Sequence, residues 1–120
     1  MPSKGYIVIV EPDKLIRELL ERWLNDAGYQ VVLSIKDHAA GMVTPRLVIT
    51  DISDPRSAGN TIEALRVAYA APILALSARF RRGLGTSSEP ARRLHVENVL
   101  PKPFTRQELL RAVRETLKQA

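Results

Sequence analysis

The chain has 120 residues, which is enough for one domain with its own hydrophobic core. Hydrophobic residues make up 45% and charged residues 26%, a composition typical of globular proteins. The absence of cysteine excludes disulfides, thiolate metal sites and cysteine nucleophiles. A net charge of +5 can favour nucleic acid, anionic membranes or acidic proteins, but it does not by itself identify a partner. No apolar run approaches the ~20 residues of a membrane-spanning helix, and the first residues, MPSKGY, lack the apolar core of a signal peptide. We therefore expect a cytoplasmic protein that does not contact a membrane.

The first predicted elements are a buried strand and an amphipathic helix. Tyr6–Val10 is an apolar, β-branched run, typical of a strand that is covered on both faces. Between the two elements, Pro12 separates Glu11 from Asp13, and its fixed φ makes the chain leave the strand stiffly. Gly28 is expected to end the helix. The apolar side of this helix is Leu15, Ile16, Leu19, Leu20, Trp23, Leu24 and Ala27.

The middle of the chain repeats the alternation of strand and helix. Residues 31–33 predict a short strand, residues 37–43 a weak helix, and residues 47–50 a third strand that ends before Asp51. Asn60 is expected to cap the next helix, with Glu63 three residues later. The buried side of that helix would be Ile62, Leu65 and either Ala68 or Tyr69, and Pro72 would stop it.

Two more strands and a last helix complete the pattern. Residues 73–76 and 96–100 predict the fourth and fifth strands. The stretch RFRRGLGTSSEPARR between them reads as a loop or a broken helix. Thr105 and Glu108 form a capping box before a helix whose inner face is Leu109, Val113 and Leu117. Five strands alternating with helices predict an open parallel α/β sheet with right-handed crossovers.

Four polar residues follow strands of this predicted sheet: Glu11, Asp51, Ser77 and Lys102. Ligands of such sheets bind outside the carboxyl ends of the strands, where these side chains would meet. Each alone is more often a solvated loop residue, but together they indicate phosphoryl transfer. Asp51 would be the nucleophile, Ser77 would hydrogen-bond a phosphoryl oxygen, and Lys102 with a divalent metal would neutralise charge. Glu11, Asp51 and a nearby backbone carbonyl offer the oxygen ligands that Mg²⁺ prefers.

The chain resembles the receiver domain of bacterial two-component response regulators. The matching segments run from Gly5 to Leu117 and occur in the family's order: IVIVEPDKLIRELLERWLNDAGYQV, then LVITDISDP with Gly59 eight residues after Asp51, then PILALSA, then VLPKPF followed by ELL and AV. The resemblance implies a flavodoxin-like, doubly wound five-stranded parallel sheet of order 2-1-3-4-5. It also implies one receiver domain over residues 1–120, with residues 1–4 as an N-terminal tail.

The resemblance assigns roles to the site residues. It implies that Asp51 is the phosphoacceptor, Ser77 the hydroxyl that reports phosphorylation, and Lys102 the phosphate-binding lysine before a cis peptide to Pro103. The Mg²⁺ ligands would be Glu11, Asp51 and the backbone carbonyl of Ser53.

Pro12 stands where the family usually has a second acid, which coordinates the metal directly. We therefore expect weakened Mg²⁺ binding. Asp13, one position later, is either a substitute ligand or a loop acid near the positive end of the helix dipole.

Further departures concern the switch and the helices. Val99 replaces the aromatic residue that normally couples to Ser77, so a signal must leave by another route. The segment between residues 31 and 51 is shorter than usual, which shrinks the second helix, and the fourth helix is expected to be short or irregular. Arg79, two residues after Ser77, is either an auxiliary phosphate contact or a solvated arginine. The basic segment of residues 79–93 either binds an acidic partner surface or is solvated.

Two hypotheses follow from these residues. The first is a stand-alone receiver, not an enzyme, that accepts a phosphoryl group on Asp51 from a histidine kinase or phosphotransfer protein and signals by contact with an unknown downstream protein. The second is a phosphorylation-independent pseudo-receiver that acts as an interaction module. We expect no direct DNA binding, because no helix-turn-helix accompanies the α/β unit, and a homodimer is left open. A flavodoxin-like flavin binder ranks third, because the loop EPDKL is not rich in the hydroxyl residues or glycines expected of a phosphate-binding loop.

Overall fold

The computed structural model describes residues 4–33, 45–52, 55–77 and 96–118, with the backbone alone at residues 55–58. The elements are β1 (Tyr6–Val10), α1 (Lys14–Asp26), β2 (Gln30–Leu33), β3 (Leu47–Asp51), α2 (Pro55–Tyr69), β4 (Ile73–Ser77), β5 (Asn98–Pro101) and α3 (Arg106–Lys118). Within these ranges, no helix is both long and apolar enough to cross a membrane.

The five strands form one parallel sheet in the order β2-β1-β3-β4-β5, as predicted. From β1 the chain continues to β2 on one side and then crosses to β3 on the other, so the order reverses between β1 and β3. Val10 pairs with Thr50 at the carboxyl ends of these two strands. Glu11 and Asp51 therefore come directly after this pair, beside the topological switch point where such sheets bind ligands.

The side chains of alternate strand residues pack into two hydrophobic clusters, one on each face of the sheet. Ile7 and Ile9 pack into the cluster that includes Leu20 of α1 and Leu109 of α3. Val8, between them, packs into the opposite cluster with Ile62, Leu65 and Tyr69 of α2. Both faces of the sheet are covered, which explains why the strands read as continuous apolar runs. This sandwich holds the carboxyl ends of the strands in fixed register.

The ends of α1 and α3 follow the predicted chemistry. Gly28 has φ +101°, a conformation that favours glycine, and the Tyr29 N–H donates to the Leu24 carbonyl at 3.0 Å to close the end of α1. At the start of α3, the Thr105 N–H donates to Glu108 Oε1 at 2.8 Å and the Glu108 N–H donates to Thr105 Oγ1 at 3.1 Å. The predicted capping box is therefore confirmed.

The predicted start of α2 at Asn60 is wrong. The helix begins at Pro55, so Asn60 lies inside it and does not cap it. A proline is well tolerated at the first position of a helix, because its missing N–H would have no helical partner there. Burial of Ile62 and Leu65 on the inner face supplies the stability that the local propensity of Gly59 and Asn60 does not.

Gly59 is a helical, exposed residue, and a Cβ built on it would meet nothing within 4 Å. Replacing Gly59 with alanine is expected to raise the free energy of unfolding by about 1 kcal/mol, because alanine loses less backbone entropy in a helix. Urea unfolding measures this change. The matched control is Gly28→Ala, which should lower stability because φ at Gly28 is +101°. Equal effects of the two substitutions would contradict the prediction.

Glu97 ties α2 and β4 together at the edge of the sheet opposite the carboxyl ends. Its carboxylate accepts hydrogen bonds from the Arg66 guanidinium at 3.0 and 3.1 Å and from the Ile73 N–H at 3.1 Å. The strand β5 begins after Glu97, at Asn98, and not at residue 96 as predicted.

Several predictions fall on residues outside the described ranges. These are the helix of residues 37–43, the short fourth helix, the basic segment of residues 79–93, and the site residues Ser53 and Arg79. They stay predictions.

Candidate functional site

Two acids lie side by side at the carboxyl ends of β1 and β3. Asp51 is the last residue of β3, and Glu11 follows β1 directly. The Glu11 side chain is 1% exposed and the Asp51 side chain 7% exposed. Two carboxylates so deeply buried require a compensating positive charge.

Lys102 supplies that charge from the end of β5. Its Nζ lies 2.6 Å from Asp51 Oδ1 and 2.8 Å from Glu11 Oε1. The Lys102 N–H donates to the Ser77 carbonyl at 2.9 Å, and the Lys102–Pro103 peptide is cis, as predicted. The Phe104 ring then packs edge-on against Trp23 of α1, with 6.3 Å between ring centroids. The structure thus brings Glu11, Asp51 and Lys102 together in one cluster, which we call the acid–lysine triad.

The triad keeps Lys102 charged at neutral pH. Burial of the ammonium lowers the pKa of Lys102, but the hydrogen bond to Asp51 and the interactions with Glu11 outweigh it, so the pKa is raised above its ordinary value of 10.5. A lysine pKa raised by folding stabilises the fold at lower pH, and this stabilisation is lost as pH rises through the folded pKa. The Lys102 ammonium therefore stays charged across the whole neutral range.

The loop after β1 is held by three hydrogen bonds. The Asp13 N–H donates to Glu11 Oε2 at 3.1 Å, and Asp13 Oδ1 accepts from the Ile16 N–H at 3.1 Å, so Asp13 is the N-cap of α1. Arg17 donates to the Glu11 carbonyl at 3.3 Å. The carboxylate of Asp13 therefore has a structural partner in the helix, and its assignment as a metal ligand stays a prediction.

Arg17 is a residue that the sequence analysis did not connect with the site. It lies six residues after Glu11, on the side of α1 that the helical pattern marks as polar. Its guanidinium anchors the loop that carries Pro12. No sequence signal distinguished it from the other charged residues of α1.

Ser77 and Val99 are buried residues of β4 and β5. Ser77 ends β4 and is 1% exposed, and the neighbouring Leu76 pairs with Asp51 in the strand register. Val99 is 2% exposed and packs in the same cluster as Val8 and Ala75. At Val99 the chain therefore has an aliphatic core side chain.

The donor set of the triad fits a hard divalent cation. Glu11 and Asp51 offer carboxylate oxygens, and Glu11 Oε1 is buried, 2.8 Å from the Lys102 ammonium. Mg²⁺ prefers such oxygens and commonly completes its octahedron with water. Across the described ranges, no three His, Cys, Asp or Glu side chains are grouped so as to hold a metal ion. Two carboxylates are thus the protein's side-chain contribution within these ranges.

The chain is similar in sequence to bacterial regulators. It is 28% identical over 121 residues to the transcriptional regulatory protein CpxR of Escherichia coli K12, which covers 95% of this chain and 50% of CpxR. It is 36% identical over 103 residues to the Regulator of RpoS of the same strain, which covers 81% of this chain and 30% of that protein. The chain therefore spans half or less of the length of these curated relatives. No protein-family model matches it.

The fold is also found among solved structures. A response regulator receiver protein from Burkholderia phymatum superposes with a TM-score of 0.73 at 23% identity, and the match covers 98% of each chain. A likeness at this identity shows that the two chains share a fold.

Proposed function

Because this chain is a receiver domain of the response-regulator family, we propose that it accepts a phosphoryl group on Asp51. The donor is the phosphohistidine of a histidine kinase or phosphotransfer protein in the cytoplasm. An Asp51 oxygen attacks phosphorus, the P–N bond breaks, and the imidazole takes up a proton. The product is an acyl phosphate on Asp51. The observation that carries the proposal is the convergence of Glu11, Asp51 and Lys102 within 2.8 Å contacts at the strand ends.

Each residue has a separate task in this reaction. The Lys102 ammonium, already beside Asp51, pairs with a phosphoryl oxygen, and the Ser77 hydroxyl hydrogen-bonds another. Receiver domains generally bind Mg²⁺ at the phosphorylation site. Here Glu11, Asp51 and the Ser53 carbonyl would hold it, and when bound it neutralises charge on the transferring oxygens. Asp13 as a further ligand and Arg79 as an auxiliary phosphate contact stay predictions.

The proposed output is a protein contact. Receiver domains are generally signalling modules and not enzymes, and we propose the same for this chain. The aliphatic side chain of Val99 has no ring to reorient when Asp51 is modified. The signal therefore passes to a downstream protein through other parts of the site edge.

The competing function is a pseudo-receiver that is not switched by phosphate. Two observations favour it: Pro12 brings no carboxylate, and the carboxylate of Asp13 caps α1. Both features reduce the number of carboxylates that are available to bind a cation. In that case the fold acts as a constitutive interaction module.

Incubation with acetyl phosphate across a Mg²⁺ series distinguishes the two functions. We expect a saturable, Mg²⁺-dependent gain of one phosphoryl group by intact mass, and its complete loss in Asp51→Asn. Beryllofluoride, followed by NMR, gives an independent readout because it binds the acceptor carboxylate without transfer. If neither reagent modified the wild-type protein at any Mg²⁺ concentration, the pseudo-receiver would be the correct function.

A further inference from the structure

We propose that Arg17 is a positioning residue of the candidate site: its guanidinium holds the loop after β1 so that the Glu11 side chain stays beside Asp51. The proposal rests on the proposed function, because it gives Arg17 a part in phosphoryl transfer. It adds a residue that lies outside the acid–lysine triad. In this role Arg17 acts through Glu11 and needs no contact with the phosphoryl group.

Arg17 bonds to both ends of the loop of residues 11–13. Its Nη1 donates to the Glu11 carbonyl at 3.3 Å, and its backbone N–H donates to the Asp13 carbonyl at 2.9 Å. Pro12, between these two residues, has a fixed φ and no N–H of its own. One residue of α1 therefore sets the separation between the two ends of a stiff loop.

The same loop carries a hydrogen bond that orients the Glu11 carboxylate. Glu11 Oε2 accepts the Asp13 N–H at 3.1 Å, while Glu11 Oε1 lies 2.8 Å from the Lys102 ammonium. A shift of the loop would move the Asp13 N–H relative to the end of β1, and the Glu11 carboxylate would turn with it. Misplacement by about 1 Å of a group that orients the reactants can slow a reaction about 100-fold. The loop geometry therefore bears directly on the acid pair.

The length of the bond sets the size of the expected effect. A guanidinium is a permanently charged donor, and hydrogen bonds from charged donors are stronger than neutral ones. At 3.3 Å, however, the bond from Arg17 is longer than is usual for an N–H donor and an oxygen acceptor. We therefore expect its removal to slow phosphorylation about tenfold, less than a full displacement of Glu11 would.

The first experiment needs neither a phosphodonor nor a metal. Backbone amide exchange is followed by NMR in the wild-type protein, in Arg17→Met, which keeps an unbranched apolar stem, and in Arg22→Met, which removes an exposed arginine of the same helix. The Asp13 N–H should exchange about tenfold faster in Arg17→Met alone. The Tyr29 N–H, bonded to the Leu24 carbonyl at the far end of α1, should exchange at the same rate in all three proteins, which shows that the helix stays folded.

The second experiment measures the rate constant of phosphorylation by acetyl phosphate at saturating Mg²⁺. It should fall about tenfold in Arg17→Met, recover in part in Arg17→Lys, which keeps a charged donor, and stay at the wild-type value in Arg22→Met. A residue that only stabilised α1 would change the free energy of unfolding in urea and leave this rate constant unaltered.

The outcomes separate this proposal from the proposed function. An unchanged exchange rate of the Asp13 N–H in Arg17→Met would overturn the positioning role, and so would an unchanged phosphorylation rate constant beside faster exchange. If the wild-type protein accepted no phosphoryl group while Arg17→Met still exchanged the Asp13 N–H faster, the hold of Arg17 on the loop would be supported and the proposed function refuted.

Discussion

Replacing Pro12 with aspartate is expected to tighten Mg²⁺ binding by about tenfold or more, because cation affinity in oxygen sites rises with the number of charged ligands. Pro12 follows Glu11 directly, and the loop around it is held by the bonds of Asp13 and Arg17 to Glu11. An acid at this position would come from a loop already fixed beside the acid pair. The expected gain is therefore mostly electrostatic, with little reordering of the chain.

The control for this change is Pro12→Asn, which also removes the proline ring but adds no charge. Calorimetric titration with Mg²⁺ should show tight binding for Pro12→Asp and near wild-type binding for Pro12→Asn. The same affinity in both variants would mean that loop stiffness, and not the missing carboxylate, limits the metal. If Pro12→Asp binds Mg²⁺ more tightly, we expect its phosphorylation by acetyl phosphate to reach half of its maximum at a lower Mg²⁺ concentration than that of the wild-type protein.

Replacing Glu11 with glutamine is expected to have the opposite effect. It should weaken Mg²⁺ binding by about tenfold or more, because one of two carboxylates is lost. It should also lower the free energy of unfolding by about 2 kcal/mol, the scale of a charged hydrogen bond inside a protein. Glutamine keeps the shape and can still accept the Asp13 N–H, but it no longer balances the ammonium of Lys102, which keeps Asp51 as a partner.

Glu18→Gln is the matched control, because Glu18 is an exposed acid on α1. Urea unfolding should give a lower free energy of unfolding for Glu11→Gln than for Glu18→Gln. Mg²⁺ titration should likewise give a lower affinity for Glu11→Gln. A Glu11→Gln protein as stable as Glu18→Gln would show that the contact between Glu11 and Lys102 adds nothing to the fold. Unchanged metal affinity would remove Glu11 from the ligand set.

Much of the fold follows from local patterns that the structure preserves. The strands are continuous apolar runs because helices cover both faces, so their number and type could be predicted from residues such as Ile7, Val8 and Ile9. The true start of α2 could not be predicted, because Gly59 and Asn60 have low helix propensity and the packing of Ile62 on the sheet overrides it.

Part of the candidate site could also be predicted from the sequence, and part could not. That Glu11, Asp51 and Lys102 meet follows from the parallel sheet, since each comes at the carboxyl end of a strand. The pairing of individual oxygen and nitrogen atoms depends on side-chain geometry after the strands have paired. The spacing of these residues in the sequence does not predict that pairing. The same holds for Asp13: an acid before a helix is a common N-cap, yet only the structure shows its 3.1 Å bond to the Ile16 N–H.

The acid–lysine triad also has a consequence for how the protein is made. Its members lie at positions 11, 51 and 102 and belong to the ends of β1, β3 and β5. A ribosome that has released β1 to β4 has produced both acids but not their counter-ion, and contacts so distant in sequence form late because their loops are costly to close. The site therefore comes into being only when the last strand joins the sheet. A nascent or truncated chain without β5 lacks the acid–lysine triad, so the proposed acceptance of a phosphoryl group requires the fully folded molecule.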